Sequence, residues 1–573
     1  MRTITFLIAV MMIVCTVTYA TIINVPGDYI IIQAGLNAAT QGDTVLVQPG
    51  TYQENIFWTA VSSIKLFSAG DSSNTIIDGD GNSTVLYFPG LGIIDTTSVI
   101  RGFRITNGGN VEYGGGIYMT HSSPIIERCL VDNNIVGGGI YCNNFSRAII
   151  RYSRISQNNE GGIIFADNST GEVAHCDIVG NSNEGGISCL NSSPTLTDVT
   201  ISGNTAGGIY CYYSSATFTG VTVSGNWAGY RGGIYCVGSS PTFTNVTVSG
   251  NLALFGGGIY CSGSSATFTN VTVSGNTAGT GAGGGGGIYC NGSSPTFTHV
   301  SVIGNTCRYG GGGGIYCNGS SPTFSDVTVS GNRADSSSGD GGGIYCVGSN
   351  PTFSEVLVEN NSASTCGGGI YCESGSNPSI EHCTIAHNRA AIEGDGFYTT
   401  DNSWPTISHC NIYSNGMGVY NDDNSQMLNC SNNWWGDASG PYHPSYNPGG
   451  LGDSVNAFVY PLPFLTEPDT LAPPAVVSDH SPSSPAAFAL FPNYPNPFNP
   501  TTTIAFELPI MAKVTLKVYN ILGREVGVVM NGEVMEAGQH TVKFDGRDFA
   551  SGVYFYQLNV GNYSEVHKMV LLK

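Results

Sequence analysis

The chain has 573 residues, of which 80 are glycine and only 10% are charged. Its formal net charge of −21 argues against a nucleic-acid-binding protein, because such proteins need a basic face, and it predicts repulsion of a polyanionic sugar unless a cation bridges the two. The glycines follow no three-residue period, which excludes a collagen-like chain.

Residues 1–20 have the features of a secretory signal peptide. The segment MRTITFLIAVMMIVCTVTYA has a basic start and an apolar run, and it ends with the small residues Thr18 and Ala20. Cys15 would suit a lipoprotein, but Val14 precedes it where a small residue is expected. We therefore predict cleavage after Ala20 and export across the inner membrane. No later segment has the roughly 18 consecutive apolar residues of a membrane-spanning helix, so we expect none in the mature chain.

A phrase of the form GGIYC recurs at intervals of 22 to 29 residues. Each unit contains three short β-type stretches, such as PTFT, VTVSG and GIYC, separated by glycine, serine and asparagine turns. Because one unit is too small to bury its apolar face, the units must stack. The pattern predicts an all-β fold for residues 21–465, namely a right-handed parallel β-helix with three strands per coil. The helical pattern IIQAGLNAA at 31–39 predicts a capping helix over the first coil.

An asparagine closes the VTVSGN phrase in twelve units. These residues are Asn134, Asn158, Asn181, Asn204, Asn226, Asn251, Asn276, Asn305, Asn332, Asn361, Asn388 and Asn415. Identical amides stacked about 4.8 Å apart can satisfy one another and the backbone of the turn. We therefore predict a buried asparagine ladder rather than a row of solvated turn residues.

Nine of the 17 cysteines lie two residues after the recurring isoleucine. They are Cys142, Cys189, Cys211, Cys236, Cys261, Cys290, Cys317, Cys346 and Cys372. Cysteine exchanges with valine in another column of the repeat, which indicates small buried hydrophobic side chains. Stacking and export would also permit disulfides, but we favour buried thiols. No cysteine or cysteine–histidine spacing indicates zinc, and we predict no metal site.

Several phrases resemble known families. IIQAGLNAATQGDTVLVQPGTYQENI, TIIDGDGN and IRGFRITNGG resemble the opening of pectin-lyase-like right-handed parallel β-helix proteins, and units such as VSGNLALFGGGIYC are similar to polymorphic outer-membrane protein repeats. The resemblance covers roughly residues 22–460. NNWWGDASGPYHP at 432–444 resembles the closing segment of such helices, so Trp434 and Trp435 are expected to cap the core.

The composition changes after the repeats. Residues 466–487 are rich in proline and serine and predict a linker, and alternating strands at 488–573 predict a small immunoglobulin-like β-sandwich. In this last segment NYPNPFNPTTTI, ILGREV, DFASGVYFYQL and KMVLLK resemble the type A sorting domain of the type IX secretion system. The resemblance implies the type IX secretion machinery as a partner, removal of the tail, and release or attachment at the outer cell surface.

Catalytic residues remain unknown from the sequence. Enzymes of the pectin-lyase-like fold place acids on outward positions of neighbouring coils, yet residues 204–300 contain a single charged side chain, Arg231. Two stretches, 147–184 and 373–409, concentrate acids, arginines and histidines and are the candidate active sites of a polysaccharide lyase or glycoside hydrolase. Calcium is expected only if the lyase alternative holds. A corner column also carries four histidines: His175, His299, His382 and His409. Asparagine, aspartate and glutamate share that column, which indicates a polar corner.

A tyrosine lies between the inward isoleucine and cysteine of most units. The candidate carbohydrate-binding residues are Tyr210, Tyr235, Tyr260, Tyr289, Tyr316, Tyr345 and Tyr371. Phenol rings at coil spacing could stack against sugars, unless the preceding loops bury them. We predict a secreted or surface-displayed, non-catalytic glycan-binding or adhesive protein. A polysaccharide lyase or glycoside hydrolase is the alternative. A minor alternative is an ice-binding solenoid, which outward Thr-x-Ser pairs such as Thr247 and Ser249 would suit.

Overall fold

The computed structural model describes residues 20–475 except 91, 112–113, 231, 280–283 and 336, and residues 489–572 except 492, 494–495, 509–511, 536–537 and 561–562. The predicted signal peptide, apart from Ala20, and most of the predicted linker lie outside these residues. The chain divides into two compact units, Met1–Ala475 and Val476–Lys573. None of the described residues belongs to a helix with the length and hydrophobicity of a membrane span.

The first unit is a parallel β-helix, as predicted. Among the described residues, its first sheet has 27 strands. The strands of successive coils stack in two columns, and in four coils the corner between the columns straightens, so that one long strand spans both. The first column comprises Ile22–Val25, Thr44–Val47, Lys65–Ser68, Val99–Arg101, Ile125–Glu127, Arg147–Arg151, Thr170–Ala174, Thr195–Thr197, Thr217–Thr219, Thr242–Thr244, Ser379–Glu381 and Thr406–Ser408. The second comprises Gly50–Gln53, Thr75–Asp78, Arg104–Thr106, Leu130–Asp132, Arg154–Ser156, Asp177–Val179, Thr200–Ser202, Thr222–Ser224, Thr247–Ser249, Thr384–Ala386 and Asn411–Tyr413. Strands Thr267–Ser274, Thr296–Ile303, Thr323–Ser330 and Thr352–Glu359 span both columns.

The GIYC phrases form a second parallel sheet, with 16 strands among the described residues. They are Ile56–Phe57, Leu86–Phe88, Ile117–Thr120, Ile140–Asn143, Ile163–Ala166, Ile187–Leu190, Ile209–Tyr212, Ile234–Val237, Ile259–Ser262, Ile288–Asn291, Ile315–Asn318, Ile344–Val347, Ile370–Glu373, Phe397–Thr399, Met417–Asn421 and Ser454–Val455. Short strands of a third sheet follow the asparagine turn: Leu252–Ala253, Thr277–Ala278, Thr306–Cys307, Arg333–Ala334, Ser362–Ala363 and Arg389–Ala390. Leu428–Asn429 pairs with Val459–Tyr460 at the end of the unit.

Alternation along each strand places one apolar set inside the coil. The cysteines pair in register from coil to coil, for example Cys236 with Cys261, and every described cysteine except Cys366 is buried and free. Six phenylalanines form a second inner column, in which Phe243 and Phe268 stack at 4.8 Å. The core thus contains columns in which identical side chains stack over several neighbouring coils.

The predicted asparagine ladder is confirmed. Asn251 is 1% exposed, and its Nδ2 donates to the Asn276 Oδ1 at 3.0 Å and to the Val223 carbonyl at 3.0 Å. Its Oδ1 accepts from the backbone N and the Nδ2 of Asn226 at 2.9 and 3.0 Å. The amide therefore uses its hydrogen-bonding groups fully, and the pattern repeats from Asn134 to Asn415. A serine ladder was not predicted. It lies along the turns that follow strands of the second sheet, where, for example, the Ser239 backbone N donates to the Ser264 Oγ.

Both ends of the solenoid are closed. At the first coil the helix Ile32–Ala38 buries Ile32 and Leu36, and the Glu54 carboxylate accepts hydrogen bonds from the first free backbone N–H groups of the helix. At the last coils Trp435 is fully buried, which agrees with the expected capping role. These contacts cover the open strand edges of the terminal coils.

The first unit continues ten residues beyond the predicted end of the β-helix at 465, because residues 466–475, here called the C-terminal strap, lie against it. The Asn411 side chain bonds the backbone N and O of Asp469 at 2.8 and 3.0 Å. Ala475 packs with Leu357 and Ala386. The predicted linker therefore begins with a segment that is part of the solenoid.

The second unit consists of two antiparallel sheets. One contains Ala489–Leu490, Thr501–Leu508 and Gly538–Asp545, and the other contains Ala512–Asn520, Glu525–Met535, Gly552–Val560 and Tyr563–Leu571. Phe506 from the first sheet and Leu516 from the second belong to one buried cluster. This arrangement is a small β-sandwich, as predicted.

Candidate functional site

The outer face of the second sheet carries one side chain per coil between the inward isoleucine and cysteine. Strand register aligns these residues, here called the tyrosine row: Phe57, Tyr87, Tyr118, Tyr141, Ile164, Ser188, Tyr210, Tyr235, Tyr260, Tyr289, Tyr316, Tyr345, Tyr371, Tyr398 and Tyr420. All seven predicted carbohydrate-binding tyrosines lie in this row. The structure therefore brings them together as one line along the solenoid.

The rings of the row contact one another. Tyr235 and Tyr260 stack with centroids 4.6 Å apart and planes 6° apart, whereas Tyr260 and Tyr289 meet edge to face at 5.0 Å and 82°. Tyr289 and Tyr371 are buried, and the other five predicted residues are half-buried. Because each ring covers part of its neighbour, the continuous row offers little open ring face for a sugar to stack on.

Three phenol groups of the row are held neutral. Burial raises the pKa of Tyr289, Tyr316 and Tyr345 above the ordinary tyrosine value. The Tyr345 hydroxyl donates to the Glu373 Oε1 at 2.6 Å. These phenols therefore act as neutral hydrogen-bonding groups and not as bases.

The row is interrupted at Ile164 and Ser188. Ring contacts run from Phe57 to Tyr141 and resume at Tyr210. The interruption coincides with a cavity of about 420 Å³, here called the row cavity. It is lined by Gly137, Tyr141, Glu160, Ile164, Asn183, Glu184 and Leu190.

The row cavity has an apolar floor and acidic walls. Tyr141 and Ile164 are each 8% exposed and pack together outside the main core, with Leu190 beside them. The Glu160 Oε2 accepts a hydrogen bond from the Gly137 backbone N at 2.8 Å. The sequence already showed that residues 164 and 188 are not tyrosine and that Glu160 and Glu184 are nearby. Only the register of the coils shows that these features lie at one place.

The candidate active-site stretch at 147–184 divides between two faces. Glu160 and Glu184 line the row cavity, whereas Arg151 and Arg154 lie on the first sheet. Arg151 pairs with Glu127 at 2.7 Å, and Arg154 pairs more loosely with Asp177 at 3.8 Å. The arginines and the two cavity glutamates therefore do not form one catalytic group.

The stretch at 373–409 is also dispersed. Glu373 bonds Tyr345 on the second sheet, whereas His382, at the corner of the first sheet, contacts Asp469 of the C-terminal strap at 3.3 Å. Asp395 accepts a hydrogen bond from the backbone N of Ala390. Within the residues that the structure describes, no group of three or more histidine, cysteine, aspartate or glutamate side chains is placed to hold a metal ion.

The predicted polar corner is confirmed. The four histidines His175, His299, His382 and His409 share one corner column and have φ values of 51° to 54°. Residues Asn245, Asn270 and Asp326 of the same column are also left-handed. This backbone region favours glycine, asparagine, aspartate and histidine, so the polar composition of the column has a conformational cause.

Comparisons with known proteins found a family match in the second unit and two similar solved structures. Residues 493–572 match the secretion system C-terminal sorting domain. Among solved structures, the A-module of the Azotobacter vinelandii mannuronan C-5 epimerase AlgE6 is 14% identical over 64% of this chain and 94% of its own, with a TM-score of 0.37. Pectate lyase Pel9A is 11% identical over 69% of this chain and 80% of its own, with a TM-score of 0.21. No curated protein matches the chain.

The sorting domain implies handling by the type IX secretion machinery and delivery to the cell surface or the extracellular space. For the repeats, residues 55–206, 185–356 and 257–435 each match the right-handed β-helix region. Together these matches span more than half of the chain, which therefore belongs to the right-handed β-helix family.

Proposed function

We propose that this secreted β-helix protein binds an extracellular glycan without transforming it, and that the row cavity holds one part of that glycan. The observation that carries the proposal is the coincidence of the cavity with the break in the tyrosine row. At about 420 Å³ the cavity lies within the range of small-ligand sites, about 300–1,000 Å³. The signal-peptide prediction is part of the same proposal, because it supplies passage across the inner membrane.

The chemistry of the cavity suits a sugar ring. A pyranose has an apolar C–H face, which can lie against Tyr141, Ile164 and Leu190, and hydroxyl groups, which can donate to carboxylate oxygens of Glu160 and Glu184. Elsewhere in the row the rings cover one another, so the remaining tyrosines support binding through their edges and hydroxyl groups.

A second candidate function is a glycoside hydrolase. It is favoured by one observation, that two carboxyl groups, those of Glu160 and Glu184, line the same cavity. Paired carboxyl groups serve as acid and nucleophile or base in such enzymes. Against this role, Glu160 already accepts a hydrogen bond from the Gly137 backbone.

The test is to fill the break in the row. In the Ile164→Tyr variant a phenol ring is restored at position 164, so we expect it to occupy the row cavity and to reduce glycan binding at least tenfold. The measurement is binding of the full-length protein to a glycan array, followed by titration with the best ligand and an assay for cleaved products.

The control is Ile303→Tyr, the same substitution at a residue that is 40% exposed on the first sheet. We expect wild-type binding from this variant and native thermal unfolding from both. Equal glycan binding by Ile164→Tyr and the wild type would overturn the proposal. Product formation that is lost in Glu160→Gln and Glu184→Gln would establish the hydrolase instead.

A further inference from the structure

A groove on the first sheet, away from the row cavity, concentrates positive charge. Its cavity of about 470 Å³ is lined by Arg101, Glu127, Arg128, Arg151 and Tyr152, here called the arginine groove. Six of the 19 basic residues of the whole chain fall between positions 101 and 154. The groove is therefore a local exception in a chain whose net charge is −21.

Two of the arginines are fixed by one buried carboxylate. The Glu127 side chain is 8% exposed. Its carboxylate accepts hydrogen bonds from the Arg101 Nε at 2.5 Å and from the Arg151 Nη2 at 2.7 Å. Burial opposes ionisation of Glu127, but hydrogen bonds from both guanidinium groups hold its pKa below the ordinary value. Arg101 also lies over the Phe67 ring at 4.1 Å. The two guanidinium groups are therefore held in place before any ligand arrives.

Arg128 supplies charge that the protein does not neutralise. It is exposed, lies 5.9 Å over the Tyr152 ring, and forms no salt bridge with a carboxylate among the described residues. Three guanidinium groups and one carboxylate line the groove, which gives it an excess of positive charge, although Asp71 and Asp177 line the adjoining cavity that shares Arg128. Charges farther than about 8 Å are largely screened at physiological salt, so the distant acids of the solenoid do not cancel this excess.

Arg128 and Tyr152 occupy backbone positions that are unfavourable for their side-chain types, although the Tyr152 ring gains stacking on His175 at 5.0 Å. Arg128 and Tyr152 have φ values of 53° and 51° in the corner column, where other coils place glycine, asparagine, aspartate or histidine, and glutamate at Glu355. A left-handed conformation costs such side chains about 1–2 kcal/mol. Tyr152 is nevertheless 54% exposed, so packing into the core does not offset that cost.

We propose that the arginine groove is a binding site for an oxyanion carried by an extracellular ligand, such as a carboxylate, sulfate ester or phosphate group. Arg101 and Arg151 present fixed N–H groups beyond those that bond Glu127, and Arg128 closes the site from the corner. A second cavity of about 660 Å³ shares Arg128 and Tyr152 and adds Arg154, but Asp71 and Asp177 also line it, so the oxyanion is placed in the arginine groove itself. The site is independent of the proposed sugar site in the row cavity.

The experiment compares three polymers on the full-length protein: a sulfated polysaccharide, a polyuronate and a neutral polysaccharide, each titrated at low and high salt. Inorganic sulfate and inorganic phosphate are used as competitors. We expect at least one anionic polymer to bind, with affinity that falls as salt rises, and the effective competitor distinguishes sulfate-like from phosphate-like recognition. Arg128→Gln should weaken binding about tenfold, because one charge-assisted contact is lost.

Arg308→Gln is the matched control, since Arg308 is exposed and lies outside both cavities of the corner. Because Arg128 is exposed, its replacement should leave thermal unfolding unchanged. The proposal is overturned if neither anionic polymer binds more tightly than the neutral one, or if Arg128→Gln and Arg308→Gln bind alike. An anionic polymer that loses affinity in Ile164→Tyr but not in Arg128→Gln binds at the row cavity and also overturns the proposal.

Discussion

Asp43 shows how much one side chain contributes at the first coil. It is 4% exposed, and its two oxygens accept four hydrogen bonds, from the backbone N and hydroxyl of Thr21 and of Thr40, at 2.7–2.8 Å. These bonds, chiefly that from the Thr21 backbone, lower the pKa of Asp43 from 3.8 to about 2. The carboxylate thus joins the first strand to the turn that follows the capping helix.

This shift predicts a pH dependence of stability. Because the folded-state pKa lies below the unfolded value, the stabilisation is complete above pH 3.8 and is lost as the pH falls toward about 2. Asp43→Asn removes two of the four acceptor interactions, so we expect it to be about 1–3 kcal/mol less stable at pH 7 and to lose less on acidification. Urea unfolding at several pH values measures both effects. Asp401→Asn, at an exposed turn, is the control, and parallel pH profiles of wild type and Asp43→Asn would contradict the assignment.

At the scale of the elements, repetition converts single side chains into columns. In the asparagine ladder each amide is both donor and acceptor to its neighbours, so every coil depends on the next. The phenylalanine column adds ring stacking at 4.7–5.0 Å, which is the spacing of neighbouring strands. Register is therefore specified several times in each coil, which fixes the alignment that the tyrosine row requires.

The ladder can be tested at its middle. Asn251→Ala leaves the backbone N and Nδ2 of Asn226 without their acceptor and the Val223 carbonyl without a donor, all in the core. We expect a loss on the order of 3–5 kcal/mol in the free energy of unfolding, measured in urea. Asn291→Ala removes the same amide where it makes only outward contacts of 3.4–3.5 Å, and should cost less than about 1 kcal/mol. Similar losses in the two variants would refute the ladder as a stabilising element.

For the whole molecule, features repeated in every coil were predictable, and features assembled from unlike coils were not. The asparagines and the cysteines each recur at the same position of the repeat, so the sequence alone predicts that they form columns. The pairing of Arg101 and Arg151 with Glu127 joins residues 24 to 26 positions apart, and only Arg151 lies in the charged stretch at 147–184. Ring stacking in the tyrosine row depends on side-chain rotamers, which the period-two pattern does not specify.

The packing of the C-terminal strap was also not predictable from the sequence, because a proline-rich segment without alternating apolar residues does not indicate that it packs against the solenoid. Its contacts explain a local exception in the outward Thr-x-Ser array, where Leu357 replaces threonine. Leu357 is 6% exposed because it packs with Ala386 and Ala475. An apolar residue on the outer face therefore marks the place where the chain returns over the solenoid.

From this packing we predict that the C-terminal strap stabilises the end of the solenoid. A chain ending at Ala475 retains the strap, so its β-helix should unfold at the same temperature as that of the full-length protein. A chain ending at Leu465 exposes Leu357 and Ala386 and removes the Asp469 contacts with Asn411 and His382. We expect this shorter chain to lose about 2–4 kcal/mol, from apolar burial and hydrogen bonds together. Calorimetry of the two truncations measures the difference, and equal unfolding temperatures would show that the strap does not stabilise the coils beneath it.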